Sequence, residues 1–119
     1  MATRNPKQIL EEFTGGLQEF GKKAPKQTNA FMNLLGECYK EGAISTKTKE
    51  LISVAIGTYN RCEYCIVFHV YKALEAGATS EEIIEAAMVA VAFGGGPSMA
   101  YAVSLVKDSI EAFAPQFEK

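Results

Sequence analysis

The sequence predicts an all-α fold of about six helices, packed as a bundle of antiparallel hairpins. Three observations carry that expectation. Alternation of apolar and polar residues is never sustained, so no strand pattern emerges. Apolar residues instead recur at three- and four-residue spacing almost throughout. Proline, glycine and small polar residues interrupt that periodicity at intervals suited to short interhelical loops.

Pro6 starts the first helix, whose apolar positions are Ile9, Leu10, Phe13, Leu17 and Phe20, and which stops near Gly21. Pro25 opens the second, with Phe31, Leu34, Leu35 and Cys38 on one face and an end at Gly42. Ser45 is the N-cap of a third helix carrying Leu51, Ile52, Val54, Ala55, Ile56 and Tyr59. Asn60 and Arg61 then make a short connection. The fourth helix begins at Cys62 and runs to Gly77, placed as the glycine just past a helix end. Thr79 followed by Glu82 is a capping box for the fifth.

That fifth helix is apolar almost all round from Ile83 to Phe93, Glu85 apart. Such a helix must be covered on every side. Either another copy of the chain covers it, which predicts a homo-oligomer, or it is the central helix of a monomeric bundle. Gly94-Gly95-Gly96-Pro97 breaks the chain tightly, allows close backbone approach, and puts Pro97 at the first position of the last helix. No strand precedes these glycines and no Gly-Lys-Ser/Thr follows, so they are not read as a phosphate cradle. The last helix carries Tyr101, Val103, Leu105, Val106, Ile110 and Phe113.

The 119 residues suit a single domain, expected over 1–119 with 1–24 as an N-terminal helical arm. A domain of this size buries roughly two-thirds of the surface its unfolded chain exposes and needs no staples. A net charge of -2 argues against a nucleic-acid partner, and Lys22, Lys23 and Lys26 read as a solvated turn. The N-terminal residues have no apolar signal-peptide core. The longest apolar stretch, Ala86 to Phe93, is far short of the roughly 20 residues that span a bilayer. A cytoplasmic location without a membrane partner is therefore expected. Three cysteines are too few and too unevenly placed for a secreted disulfide framework.

The informative segment is Glu50-x11-Cys62-x2-Cys65-x3-His69. Cys62 and Cys65, three apart on a helix, have Cα atoms roughly 5–6 Å apart, within disulfide reach. His69, the only histidine, lies on the same face. Glu50 precedes the Asn60-Arg61 connection by ten residues and His69 follows it by eight. In an antiparallel pair of helices the two therefore stand within roughly 3 Å of one level. A carboxylate can then orient the imidazole, and the imidazole can draw a proton from a cysteine, the order that activated nucleophiles need. Which sulfur attacks stays open. The helix N-terminus favours a thiolate at Cys62, whereas proximity to His69 favours Cys65.

Other readings of the same residues remain. Two thiolates, an imidazole and a carboxylate make a legal tetrahedral zinc set, although no second Cys-x-x-Cys or Cys/His pair accompanies them. A purely structural role is the bland alternative. A thioredoxin-type domain is excluded, since no strand precedes the motif. Cys38 reads as a small buried hydrophobe on the second helix. Tyr64, between the cysteines, either lends a hydroxyl to the site or packs, and packing is the expectation.

The run KTKELISVAIGTYNRCEYCIVFHVYKALEAGATSEEIIEA, followed by GGGP, resembles the AhpD-like alkylhydroperoxidases within the carboxymuconolactone decarboxylase family. The likeness covers about residues 25 to 113. It implies an AhpD-like helical fold assembled as a homo-oligomer, a trimer or hexamer. It implies an antioxidant thiol peroxidase or disulfide reductase, acting on a small hydroperoxide or a disulfide with no resident cofactor or metal. Cys65 would be the peroxidatic cysteine that becomes a sulfenic acid, and Cys62 the resolving cysteine or proton donor. His69 would be the base and Glu50 would orient it in a proton relay. The resemblance also implies a dithiol reductant, such as a lipoylated carrier protein, and a peroxiredoxin as partner. The decarboxylase branch shares the fold but lacks the cysteine pair, and a lyase using His69 and Glu50 is the alternative activity. Tyr64 stands where well-studied members carry a second histidine, and it supplies no base near neutral pH.

Overall fold

A computed structural model describes residues 5–118. Seven α-helical elements and no strand occur among them. They are α1 (Pro6–Lys23), α2 (Pro25–Cys38), α3 (Thr46–Asn60), α4 (Glu63–Glu75), α5 (Ser80–Gly94), α6 (Gly96–Tyr101) and α7 (Lys107–Phe117). A π-helical turn, Ala102–Val106, joins α6 to α7, so the chain after Gly95 is one helical rod with a local change of winding. The all-α architecture is thus as the sequence predicts, with the sixth helix divided by that turn.

The helix ends follow from their capping chemistry. Asn5 and Gln8 form a reciprocal capping box before α1, and Thr79 and Glu82 do the same before α5. Ser45 caps α3 by accepting the Thr48 N–H. Past α4, Gly77 takes φ +96° and the Gly77 and Ala78 N–H groups bond back to the Leu74 and Ala73 carbonyls. Glu82 does double duty, since it also pairs with Lys47 of α3 at 3.1 Å. The Thr79 amide first, and then Lys47, hold its carboxyl below the ordinary value of 4.5.

Helix α4 is the centre of the core. Its Ile66, Val67, Val70 and Ala73 are fully buried, and they meet Val54 of α3, Ile83 of α5 and Phe113 of α7. Helix α3 packs most extensively on α4 and α5, which fixes the α3–α4 hairpin that carries the motif. Gly94 is where α5 and α6 close on one another: a Cβ there would overlap the Ser98 hydroxyl and lie 3.2 Å from the Tyr59 ring. Gly95, at φ 66° and ψ -145°, occupies a region open only to glycine.

Several expectations need correction. Helix α1 continues past Gly21 to Lys23, and residues 1–4 of the expected N-terminal arm lie outside the described residues. Helix α2 ends at Cys38 rather than Gly42, because Tyr39 leaves helical geometry and its carbonyl accepts the Thr46 hydroxyl at 2.7 Å. Cys38 is exposed rather than buried. The reason is that α2 packs chiefly on α1, outside the core, and buries none of its residues. Pro97 is the second residue of α6, since Gly96 begins it. Helix α5 is not enclosed by its own chain: Ile84, Met88, Val89 and Phe93 are exposed, Phe93 at 83%. No helix of the described residues is long and apolar enough to cross a membrane.

Replacing Phe113 by alanine should empty the space beneath α4 and Tyr71, which meets the Phe113 ring edge-on at 5.3 Å. The expected loss is about 3–5 kcal/mol in urea unfolding. A loss under about 1 kcal/mol would mean that α7 does not close this core.

Candidate active site

The site is built where α3 turns into α4. Arg61 caps α3 in the left-handed conformation, φ 55°, and the Cys62 N–H bonds to the Gly57 carbonyl at 3.0 Å. Gly57 then lets the two helices approach. A Cβ at that position would lie 3.0 Å from the Cys65 Cβ and 3.3 Å from the Ile66 backbone nitrogen. Any larger residue would push the cysteine-bearing turn away from α3.

Cys62 is the N-cap of α4, and its Sγ accepts the Cys65 N–H at 3.2 Å. The two cysteines are joined as a disulfide, with Cα atoms 5.2 Å apart. One turn later, His69 Nδ1 lies 2.7 Å from Glu50 Oε1. The Glu50 side chain is only 6% exposed. A carboxylate only accepts, so this bond places the proton on Nδ1 and leaves the lone pair of a neutral imidazole on Nε2. Two further rings confine His69: Tyr39 stacks on it at 5.7 Å and 14°, and Phe68 meets it edge-on at 5.1 Å and 82°.

These groups face a cavity of about 510 Å³. Phe13 of α1, Phe31, Met32 and Leu35 of α2, Tyr39, and Tyr64 and Phe68 of α4 make its walls largely apolar. Glu50, Cys65, His69 and Lys72 supply its polar lining. Of the residues singled out in the sequence, Glu50, Cys65, His69 and Tyr64 thus line one space, and Cys62 is tied to it through Cys65. Tyr64 packs, with its ring 6.2 Å from Phe13, and its hydroxyl donates to the Glu12 carboxylate. It fastens α1 to the first turn of α4. The zinc alternative finds no group of three His, Cys, Asp or Glu side chains disposed to hold an ion among the described residues.

The family model for carboxymuconolactone decarboxylases matches residues 25–108. The chain belongs to the carboxymuconolactone decarboxylase family. A family member from Legionella pneumophila, solved as the apo protein, is 37% identical. It superposes with a TM-score of 0.83 over 96% of this chain and 97% of its own. A Thermotoga maritima family protein, for which a part in an antioxidative response has been suggested, is 30% identical with a TM-score of 0.70. That match covers 90% of this chain and 97% of the other. An uncharacterized protein of Cupriavidus necator is 31% identical over 100 residues, 84% of this chain and 88% of the relative.

Sequence reasoning did not find Tyr39, Ser53, Gly57 or the cavity face of α2. Two of them carried a signal. Ser53 falls three residues after Glu50 and so shares its helix face. Gly57 falls in the last turn of α3, three residues before the helix ends and close to the level of Cys65. Gly57→Ala should cost about 1–3 kcal/mol by overpacking the hairpin. It should also slow alkylation of the reduced cysteines. Unchanged stability and reactivity would show that the close approach is not required.

Proposed function

We propose that the protein is a thiol-dependent peroxidase or disulfide reductase of antioxidant type, working through Cys62 and Cys65. The observation that carries this reading is that the disulfide, the imidazole and its buried carboxylate partner meet at one apolar cavity. His69 Nε2 removes the Cys65 proton while Glu50 stabilises the imidazolium that forms. The Cys65 thiolate attacks the distal oxygen of a hydroperoxide, the O–O bond breaks, and the alkoxide takes a proton to leave as an alcohol. Cys65 is then a sulfenic acid. Cys62 attacks that sulfur, water departs, and the disulfide forms. A dithiol reductant restores both thiols by exchange and leaves as its own disulfide.

An apolar wall of this extent suits an organic hydroperoxide or an apolar disulfide better than a small polar oxidant. The dithiol is read as a lipoylated carrier protein, with a peroxiredoxin as a further partner. The exposed apolar residues of α5 are read as the surface covered by further copies in a trimer or hexamer. A cytoplasmic setting fits thiols that must be returned to the reduced state.

With an alkyl hydroperoxide as oxidant and dithiothreitol as donor, Cys65→Ser should abolish turnover. Cys62→Ser should accumulate a sulfenic acid that dimedone traps. His69→Gln should lower kcat/KM by about 10²–10⁴-fold. A Cys65→Ser protein as fast as wild type would sink the reading. Activity on a lactone that survived loss of both cysteines would instead favour the lyase alternative, in which His69 and Glu50 act alone.

A further inference from the structure

We propose that Tyr39 is a positioning residue for His69, pinned through its hydroxyl to Ser53, so that α3 aligns the imidazole along its edge and across its face. This rests on the thiol chemistry above and adds to it a residue outside the cysteine motif.

Three observations converge. The Tyr39 and His69 rings lie 5.7 Å apart and within 14° of parallel, a stacked arrangement rather than a chance edge contact. The Tyr39 hydroxyl is hydrogen-bonded to Ser53 Oγ. Ser53 is buried and spends its single proton on the Lys49 carbonyl, 2.9 Å away. The Tyr39 hydroxyl is therefore the donor of the pair, and its ring is held by a fixed acceptor on α3.

Glu50 and Ser53 are three residues apart, on one face of α3. From that face Glu50 holds Nδ1 in the plane of the imidazole, at 2.7 Å, while Ser53 holds the ring that covers the imidazole plane. The hydrogen bond alone leaves the imidazole free to rock about the Nδ1–Oε1 line. The stacked ring removes that motion and keeps Nε2 directed to one place. A tyrosine face is also a favourable neighbour for the imidazolium produced when His69 takes the thiol proton. Tyr39 has a third anchor: its carbonyl accepts the Thr46 hydroxyl at 2.7 Å, which secures the turn between α2 and α3. Leu35 and Tyr39 both line the cavity, so the same anchor ties α2 to the alignment of His69.

The test uses the full chain with Tyr39→Leu, Tyr39→Phe and Ser53→Ala. His69 is the only histidine, so ¹⁵N-histidine NMR reads its tautomer directly, independently of turnover. Wild type should show the Nδ1–H form. Tyr39→Leu should mix the tautomers and move the pH profile of Cys65 alkylation to higher pH. It should also slow alkylation near neutrality by about 10- to 100-fold, the scale of a misplaced catalytic group. Tyr39→Phe keeps the stacked ring and should recover most of the profile. Ser53→Ala should fall between the two, and it carries the test by itself if Tyr39→Leu does not fold. A wild-type tautomer and pH profile in Ser53→Ala and in any Tyr39→Leu protein that folds overturns the proposal, even if stability drops. Wild-type peroxidase rates in Cys65→Ser and His69→Gln would defeat the thiol reading instead, and the NMR result would stand apart from that failure.

Discussion

The structure depends on one contact between neighbouring helices, the hydrogen bond from His69 of α4 to the buried carboxylate of Glu50 on α3. A carboxylate so far removed from water is costly unless it is bonded. The imidazole is the partner that meets this cost, and its geometry binds both helices to one register. Slip either helix by a residue and the side chains rotate by about 100°, leaving the acid unpaired. The chemistry and the packing of the hairpin are therefore the same constraint. Gly57 belongs to it as well, because only a residue without a side chain lets Cys65 sit against α3 at that level.

Much of this was legible in the sequence because it depends on counting. Proline, glycine and capping residues mark helix ends by local chemistry, and the capping box of α5 and the glycine after α4 sit where they were expected. The level of Glu50 against His69 follows from rise per residue and a short connection. What was not legible depends on partners far apart in the chain. Phe31, Leu34 and Cys38 have the periodicity of a core helix, yet α2 lies outside the core and turns part of that apolar face to a cavity. Periodicity reports that a face is apolar, and not whether it meets a core, a ligand or another chain. The stacking of Tyr39 on His69 spans thirty residues and a turn, and nothing local announces it. The π-helical turn between α6 and α7 likewise has no proline or glycine to mark it.

The apolar surface of α5 and the thin packing of α2 are two sides of one distribution of residues. The core gathers on the inner face of α4, where Ile66, Val67, Val70, Ala73 and Leu74 are buried. Helices α2 and α5 each present an apolar face that this core does not cover. For α2 part of that face lines the cavity beside Cys65. For α5 it stands in the open as Ile84, Met88, Val89 and Phe93. The first arrangement gives the site a largely apolar wall.

That wall sharpens the consequence of having Tyr64 between the cysteines. Its hydroxyl is committed to Glu12, so the residue secures α1 against the first turn of α4 and leaves proton transfer to one imidazole. A single base can serve both halves of a thiol cycle only if it is returned to the same protonation state and the same place between them. In the proposed cycle it takes the proton of the first thiol and gives it to the alkoxide, then takes the proton of the second thiol and gives it to the departing hydroxide, so the proton count closes without a second histidine. Position is the harder condition. Groups that hold His69 from its edge and from its face answer that condition, and Glu50 and the Tyr39–Ser53 pair supply them from one face of α3.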